Sequence, residues 1–349
     1  MTPLRIWLVG FGTVGQWLAR ALDVHADRLA HRYGVRVSVV GLANARHGFV
    51  AREDGLDLAT ALDLAAGRRS IAELPGVRAW PTAIEGLRAT EADVLVEVIA
   101  SPPGDGEPGS AHMREALGRG IPVVTSDKWP VALHGVELAE LARNRGVAFR
   151  AESCVMSGTP LLSALGEGLA GTVPIGLRGL LNATANFILT RMAGGRSYED
   201  ALAEAQAAGL AERDPAADVE GGDTVAKVMI LSGLVFGRQL ERGQVACRGI
   251  TDIAPAELEQ AAAAGARIKH VATLEFSAPD GAGDLVAARV GPEALGPDDP
   301  LARIDGTANA VVYRATPVGE VTIAGPGAGP ELAGQGVLSD LIAVAQSTR

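Results

Sequence analysis

The start of the chain constrains the fold most, because an apolar strand leads directly into a glycine-rich turn and a helix. Residues 4–9 read L-R-I-W-L-V, typical of a buried parallel strand, and the turn that follows reads G-F-G-T-V-G. A lone G-x-G-x-x-G is weak evidence, but here it opens a predicted helix over 13–30, which is the context that supports it. Gly10 permits the tight turn, Gly12 lets the backbone approach a pyrophosphate, and Gly15 allows close packing of the helix on the sheet. The segment predicts a dinucleotide-binding unit.

Strands and helices alternate over the first 150 residues. Further strands are predicted at 36–42, 93–99, 121–125 and 147–150, and helices at 109–119 and 135–145. This alternation predicts an α/β fold with a doubly wound parallel sheet of the Rossmann type.

The pattern changes after residue 151. Strands are predicted at 176–183, 267–276, 285–291, 309–315 and 319–324, and helices at 160–169, 185–192, 198–208, 222–237 and 255–264. A glycine-rich turn, G-P-G-A-G, then precedes a predicted helix over 331–346. We therefore expect a dinucleotide-binding domain over 1–151, an α+β domain over 152–324 and a C-terminal segment over 325–349.

An acid-rich stretch precedes one of these helices and ends in a lysine. Residues 213–227 read R-D-P-A-A-D-V-E-G-G-D-T-V-A-K, and the acids before the helix are Glu212, Asp214, Asp218 and Glu220. Asp223 and Lys227 are four residues apart and share a face of an otherwise apolar helix. Burial lowers the pKa of a lysine and makes it a usable proton acceptor, so the pattern suggests a site for a small zwitterion. An ordinary ion pair beside helix-capping acids is the alternative reading.

Charge and composition exclude several classes of protein. The net charge is −10 without a Lys/Arg cluster, which argues against nucleic acid and anionic membranes as partners. Cys154 and Cys247 are too few for a disulfide framework. The chain enters its first strand without a signal peptide and has no apolar run of the roughly 20 residues that span a bilayer, so we expect a cytoplasmic protein. The scattered histidines form no zinc motif.

The end of the second strand bears on which cofactor is bound. NAD-binding proteins usually carry an acid there, whereas this chain reads G-L-A-N-A-R-H over 41–47, with Asn44 at the expected position. Arg46 follows closely, and a cation suits the 2′-phosphate of NADP. The sequence therefore favours NADP over NAD, although Arg46 could equally be a solvent-exposed loop residue.

Five stretches of the chain, in order, match the motifs of one enzyme family. They are 106–128, which ends in S-D-K; 152–160, E-S-C-V-M-S-G-T-P; 181–190, L-N-A-T-A-N-F-I-L-T; 204–227, which contains the acid-rich stretch; and 325–329, G-P-G-A-G. On these motifs the chain resembles the homoserine dehydrogenase family from end to end. The resemblance implies hydride transfer between L-homoserine and L-aspartate 4-semialdehyde.

The resemblance also implies roles for individual residues. Lys128 and Lys227 would be the two active-site lysines that handle the proton, and Asp223 would orient the substrate and tune Lys227. Glu212 and Asp218 would bind the substrate ammonium, with Thr184 on the substrate side. The implied contacts to NADP or NAD are Gly10, Phe11, Gly12, Thr13, Val14, Gly15, Asn44, Arg46, Ala100, Ser101, Ser126, Lys128 and Gly329.

Three further features follow from the resemblance. A monovalent cation, Na⁺ or K⁺, would be bound mostly through backbone carbonyls of Glu152, Val155, Ser157 and Thr159. The domain over 152–324 would be catalytic and would form a homodimer through its sheet, while 325–349 would return to the nucleotide domain. The chain ends about where the catalytic core of the family ends, so we expect no kinase-like or ACT-type regulatory domain and no feedback by threonine.

Some residues depart from the family pattern. Asp127 stands where the family has asparagine, and A-S-P-P at 100–103 replaces a Thr-rich loop. Cys154, Met156 and Ser157 replace small residues. These changes leave open a related oxidoreductase acting on a different hydroxy- or carbonyl-bearing amino acid.

The sequence disfavours two other classes of protein. A non-catalytic NADP-binding regulator is disfavoured by the intact Lys128, Asp223 and Lys227. The glucose–fructose oxidoreductase family is disfavoured because no D-x-x-x-H pair follows the lysine.

Overall fold

The computed structural model describes residues 2–45, 48–278 and 283–347, and the chain divides into two compact units. Unit 1 contains Met1–Cys154 and Gly329–Arg349, and unit 2 contains Val155–Ala328.

Unit 1 is built on a seven-stranded sheet with the strand order β4-β3-β2-β1-β5-β6-β7. Its strands are β1 (Leu4–Val9), β2 (Val37–Asn44), β3 (Gly48–Ala51), β4 (Arg78–Ala79), β5 (Val94–Glu97), β6 (Val123–Thr125) and β7 (Phe149–Arg150). Five neighbouring strands of this sheet, β2, β1, β5, β6 and β7, are parallel, which confirms the predicted Rossmann-type sheet. The remaining two, β3 and β4, pair antiparallel at one edge.

Helices cover both faces of this sheet. They are α1 (Thr13–Val24), α2 (Ala26–Arg28), α3 (Leu58–Ala66), α4 (Ala83–Ala89), α5 (Gly109–Gly118), α6 (Lys128–Arg145) and α7 (Ser153–Met156), the last of which reaches into unit 2. Two apolar clusters, one around Leu8 and Leu18 and one around Trp7 and Leu95, form the core. Because successive residues of a strand point to opposite faces, Trp7 and Leu8 feed different clusters.

Unit 2 contains a six-stranded sheet with the order β13-β12-β8-β10-β11-β9. Its strands are β8 (Val173–Leu180), β9 (Ala246–Cys247), β10 (Arg267–Phe276), β11 (Leu285–Leu295), β12 (Ala308–Thr316) and β13 (Gly319–Pro326). Neighbouring strands are antiparallel except β9 and β11. The α+β prediction for this half is therefore correct.

Helices pack on one face of this second sheet. They are α8 (Ala183–Ala193), α9 (Tyr198–Ala207), α10 (Ala216–Val219), α11 (Gly222–Phe236) and α12 (Pro255–Ala263). The rings of Phe236 and Phe276 lie 5.0 Å apart, which docks the end of α11 on β10. Only Leu181 and Asn182 separate β8 from α8, so the start of α8 is fixed at the end of that strand.

The last helix, α13 (Pro330–Ser347), packs against α1 within unit 1. A Cβ atom on Gly334 would lie 2.2 Å from the ring of Trp17, so only glycine permits this approach. No helix in the described part of the chain is long and apolar enough to cross a membrane.

Several predicted elements were wrong in extent. The helix expected over 13–30 ends at Val24, because the backbone leaves helical geometry at His25. The helix expected over 135–145 corresponds to the second part of α6, which begins at Lys128 and has a kink at His134, where the backbone leaves helical geometry. The helix expected over 160–169 is reduced to a π-helical turn, Ala164–Gly168.

Candidate active site

The glycine-rich turn of unit 1 has the shape that a dinucleotide requires. Gly10 has φ +109°, and a Cβ atom there would lie 2.6 Å from the backbone of Val98. A Cβ atom on Gly15 would lie 1.9 Å from the carbonyl oxygen of Gly10, so this glycine is needed for packing the helix on the turn. A Cβ atom on Gly12 would meet nothing within 4 Å, so this glycine faces open space.

The start of α1 is suited to an anion. Gly12 is the N-cap residue, and no side chain caps the first turn, which contains Thr13 and Val14. Backbone N–H groups and the helix dipole at such an end favour a phosphate. Phe11 is buried, and its carbonyl accepts a hydrogen bond from the Gln16 side chain at 3.1 Å, which holds the turn in place. The residues present therefore fit a pyrophosphate.

The other predicted cofactor residues of unit 1 lie around the same edge of the sheet. Ala100 and Ser101 follow β5, and Ser126 and Lys128 follow β6, beyond the carboxyl ends of strands parallel to β1. Ligands of doubly wound folds bind at this edge. Asn44 ends β2 opposite Gly48 in β3, while Arg46 lies outside the described residues.

The C-terminal turn contributes one further predicted contact, Gly329. This glycine has φ +130° and directly precedes α13, and its carbonyl accepts a hydrogen bond from the N–H of Ala333. Its backbone conformation is one that residues with side chains rarely adopt.

Two buried acids lie beneath the cofactor edge of unit 1. Glu97 is fully buried and Asp127 is 2% exposed. Burial raises the pKa of Glu97 to about 8 and that of Asp127 to about 7, and the charge of Glu97 adds to the rise for Asp127. The Asp127 carboxylate accepts hydrogen bonds from the N–H and the hydroxyl of Ser101.

His112 and Cys154 belong to this buried region and not to a reactive pair. His112 is 7% exposed with its Nδ1 atom 3.9 Å from Glu97, and burial lowers the pKa of the imidazole. Cys154 is fully buried and donates to the carbonyl of Thr125 at 3.6 Å. Burial raises the pKa of the thiol, which disfavours the thiolate that a nucleophile requires.

In unit 2, α11 carries a buried ion pair at the end of β8. The ammonium of Lys227 lies 2.8 Å from Oδ2 of Asp223 and donates to the carbonyl of Leu181 at 2.5 Å. Lys227 is 7% exposed. The two side chains thus form the i,i+4 ion pair of the alternative reading, but both of them are largely buried.

Asn182 joins this pair to the acid-rich stretch. Its Nδ2 atom donates to Asp218 at 2.7 Å and to Asp223 at 3.1 Å, while its Oδ1 atom accepts from the N–H of Ala185 and caps α8. Asn182 was not among the site residues predicted from the sequence. An asparagine directly before a helix was a recognisable signal for a cap, but its second contact with two distant acids depends on the tertiary fold.

The remaining predicted substrate residues are placed differently. Thr184 is buried, and its hydroxyl donates to the carbonyl of Leu210 at 2.9 Å. Glu212 is exposed, and its carbonyl accepts from the side chain of Gln206. In the described part of the chain, Asn182 and the ion pair bring Asp218, Asp223 and Lys227 together, whereas Glu212 is bonded through its backbone carbonyl.

The residues predicted to hold a monovalent cation are divided between the units. Glu152 belongs to unit 1, where its N–H donates to Asp340 at 2.9 Å. Val155, Ser157 and Thr159 belong to unit 2, where Ser157 has φ +54°. The hydroxyl of Ser157 donates to the carbonyl of Gly327, and the hydroxyl of Thr159 donates to the carbonyl of Pro326.

Comparison with known protein families gives matches over nearly the whole chain. Residues 10–152 match the family described as homoserine dehydrogenase, NAD binding domain, and residues 160–342 match the family described as homoserine dehydrogenase. A relative from Pseudomonas canavaninivorans, named NAD(+)-dependent homoserine dehydrogenase, is 40% identical over 99% of this chain and 97% of its own length.

Solved structures agree with the sequence matches. A homoserine dehydrogenase from Thiobacillus denitrificans superposes with a TM-score of 0.82 at 30% identity, over 100% of this chain and 74% of that one. A hyperthermophilic archaeal homoserine dehydrogenase in complex with NADPH superposes with a TM-score of 0.81 at 29% identity, over 99% of this chain and 98% of that one.

Proposed function

The chain belongs to the homoserine dehydrogenase family, and on that premise we propose that it interconverts L-homoserine and L-aspartate 4-semialdehyde with Lys227 as the proton-transferring residue. As a member it is an oxidoreductase that acts on a CH–OH group of a small molecule and binds NAD(P). The observation that carries the catalytic assignment is the buried Lys227 ammonium held between Asp223 and the Leu181 carbonyl.

The chemistry requires a proton acceptor at the substrate hydroxyl. Oxidation of a primary alcohol removes the hydroxyl proton as hydride leaves the carbon, and a neutral lysine can accept that proton. In the reverse direction the ammonium returns a proton to the developing alkoxide. Asp223 fixes the position of the Lys227 side chain at 2.8 Å, so that proton transfer occurs at a defined atom.

Asp218 is proposed to bind the substrate ammonium. Asn182 donates to the Asp218 carboxylate at 2.7 Å and so orients it relative to Asp223. Glu212 is proposed as a second contact because its exposed carboxylate is available to a ligand. Thr184 is proposed to act through its position at the start of α8, since its hydroxyl is used by the Leu210 carbonyl.

Lys128 is proposed as a second active-site lysine on the cofactor side. It is the first residue of α6 and lies beyond the carboxyl end of β6, at the edge of the sheet where the cofactor residues gather. Bound NADP or NAD supplies the hydride acceptor. Gly12 and the first turn of α1 would hold its pyrophosphate.

We propose that NADP is preferred and that NAD is also used. Asn44 at the end of β2 carries no charge that would repel a 2′-phosphate, and a structural relative binds NADPH. The Pseudomonas relative is named for NAD(+), which is the reason for including NAD. Measuring kcat/KM with each cofactor tests this preference, and a higher value with NAD than with NADP would contradict it.

A monovalent cation is proposed near Val155, Ser157 and Thr159. Within unit 2, Ser157 and Thr159 bond to successive carbonyls of the C-terminal turn. The side chain of Asn309, which is fully buried and whose amide lacks a hydrogen-bond partner in the described part of the chain, lies against Gly327. A rise in Tm with NaCl or KCl but not with a choline salt at equal ionic strength would support the site.

A homodimer through the sheet of unit 2 is also proposed. Val286 and Val318 are exposed hydrophobic side chains at the same end of that sheet. Association would remove such apolar surface from water. Light scattering on the purified protein tests this, and a mass equal to that of one chain would contradict it. The cytoplasmic location expected from the sequence stays a prediction.

The assay that tests the main proposal is formation of reduced nicotinamide, followed by absorbance, with L-homoserine and NADP or NAD. Turnover that is lost in Lys227→Ala supports the proposal. Nucleotide binding without turnover of homoserine would instead favour an oxidoreductase for another hydroxy- or carbonyl-bearing amino acid, because Ser157 and Asp127 replace family residues. A non-catalytic regulator would bind the nucleotide but would turn over neither homoserine nor another amino acid.

A further inference from the structure

Asp127 occupies the N-cap position of α6, but its side chain does not cap that helix. An N-cap aspartate usually accepts a hydrogen bond from the first turn of its own helix. Here both carboxylate oxygens face Ser101 instead. The N–H of Ser101 lies 3.0 and 3.1 Å from the two oxygens, and its hydroxyl lies 2.5 Å from Oδ2. The carboxylate therefore links the loop after β6 to the loop after β5.

Ser101 extends this link to a third element. Its Oγ atom accepts a hydrogen bond from the N–H of Gly109, the first residue of α5, at 3.2 Å. A Cβ atom on Gly109 would lie 2.5 Å from Oδ2 of Asp127 and 2.6 Å from Oγ of Ser101, so glycine is required for the approach. One buried carboxylate thus holds together both loops and the start of α5.

A second buried acid, Glu97, is connected to Asp127 through Thr125. The N–H of Asp127 donates to Oγ1 of Thr125 at 3.0 Å, and that hydroxyl lies 3.5 Å from Glu97. Burial raises the pKa of both acids. The charge of Glu97 also raises the pKa of Asp127. His112, at 3.9 Å from Glu97, and the buried thiol of Cys154 are titratable side chains that also interact with Glu97.

We infer that Asp127 is a positioning residue for the nicotinamide cofactor, acting through Ser101 to fix the loop at 98–103 and the start of α6. This inference rests on the proposed cofactor site, because those two segments carry the proposed contacts Ala100, Ser101, Ser126 and Lys128. It joins two departures from the family pattern, the aspartate at 127 and A-S-P-P at 100–103, into one interaction.

The chemistry explains why an acid is used here. Ser101 presents an N–H and an O–H, and a carboxylate can accept both. An asparagine has one acceptor oxygen, and when its NH₂ group takes the place of Oδ2 it faces the serine hydroxyl. Since the serine oxygen already accepts from Gly109, its proton would then be left buried without an acceptor.

The test compares Asp127→Asn, Ser101→Ala and the double variant with the wild type. Asp105→Asn is the matched control, because Asp105 is an exposed acid two residues after that loop, and its carboxylate accepts a hydrogen bond from the N–H of Glu107. NADPH affinity is measured by fluorescence titration, and kcat and both KM values by steady-state kinetics.

We expect Asp127→Asn and Ser101→Ala each to raise Kd and KM for the cofactor about tenfold, since each leaves one buried polar group unpaired. The KM for homoserine should change less than twofold (an estimate for a group that touches only the cofactor loop). The double variant should match the single variants, because both remove the same link. Asp105→Asn should resemble the wild type.

Two results would overturn the inference. Variants that lose Tm but bind NADPH like the wild type would show that the link serves stability alone. Effects that add in the double variant would show that the two residues act independently. A wild-type protein that binds neither NADP nor NAD would instead refute the proposed cofactor site itself.

Discussion

Replacing Lys227 by methionine separates the chemistry of the lysine from its part in stability. Methionine has similar length and no charge, so Lys227→Met keeps the volume on α11 and removes the ammonium. Loss of general acid–base catalysis should lower kcat about 100- to 10,000-fold. The buried Asp223 carboxylate, 2.8 Å from the ammonium in the wild type, loses its cation, and breaking a buried pair in this way costs about 3–5 kcal/mol.

A second substitution distinguishes the two effects. In Lys227→Met with Asp223→Leu both charges are gone, and most of the lost free energy of unfolding should return, because a buried pair replaced by apolar residues is often neutral. Activity should not return.

Lys269 offers a matched control within the same unit. Its ammonium is also buried and lies 2.8 Å from Asp305. Lys269→Met should lower stability and leave kcat within about threefold of the wild type, as expected for a residue outside the chemistry. The measurements are urea unfolding and the nicotinamide absorbance assay. Lys227→Met with kcat within tenfold of the wild type would refute the catalytic role, and a double variant no more stable than the single one would refute the ion-pair argument.

Three further predictions concern other parts of the site. Gly12→Ala should fold normally and weaken NADP binding at least tenfold, an estimate for a methyl group placed against the pyrophosphate. Gly15→Ala should instead lose about 1–3 kcal/mol of stability, because the added methyl group overpacks the turn. Equal losses of Tm in the two variants would contradict this difference. Asn182→Ala should lower the free energy of unfolding by about 1 kcal/mol, because it removes the cap of α8. It should also raise the KM for homoserine, because Asp218 loses the side chain that orients it. An unchanged KM would show that Asn182 has no part in substrate binding. Burial raises the pKa of Glu97 from its ordinary value of 4.5 to about 8. Between these two pH values the folded protein holds a proton on Glu97 that the unfolded chain has lost. The free energy of unfolding therefore falls as the pH rises through this range. Glu97→Gln should flatten that fall by up to about 1.4 kcal/mol per pH unit, as read from urea unfolding at several pH values. Asp127, His112 and Cys154 are titratable neighbours that stay in both proteins, and parallel curves for variant and wild type would contradict the assignment.

Local sequence was enough for the elements whose pattern is self-contained. The strand at 4–9 and the strand at 267–276 were predicted with the bounds that the structure has, because a run of apolar residues next to turn residues needs no distant partner to be recognised. The segment from 48 to 89 was left unassigned. Its short strands β3 and β4 pair at the sheet edge and its helices α3 and α4 are brief, so tertiary packing and not periodicity defines them.

The sequence by itself determined the nucleotide-binding turn, the order of the two halves and the pairing of Asp223 with Lys227. Each of these depends on residues close together in the chain, where helix and strand geometry fix the relation between neighbours. Only the tertiary structure decided that Lys227 is buried under the Leu181 carbonyl, that Asn182 bonds to both Asp218 and Asp223, and that Asp127 turns to Ser101 and away from its own helix. These contacts join residues that are 26 to 46 positions apart, and their energies depend on burial, which exists only once the chain has folded.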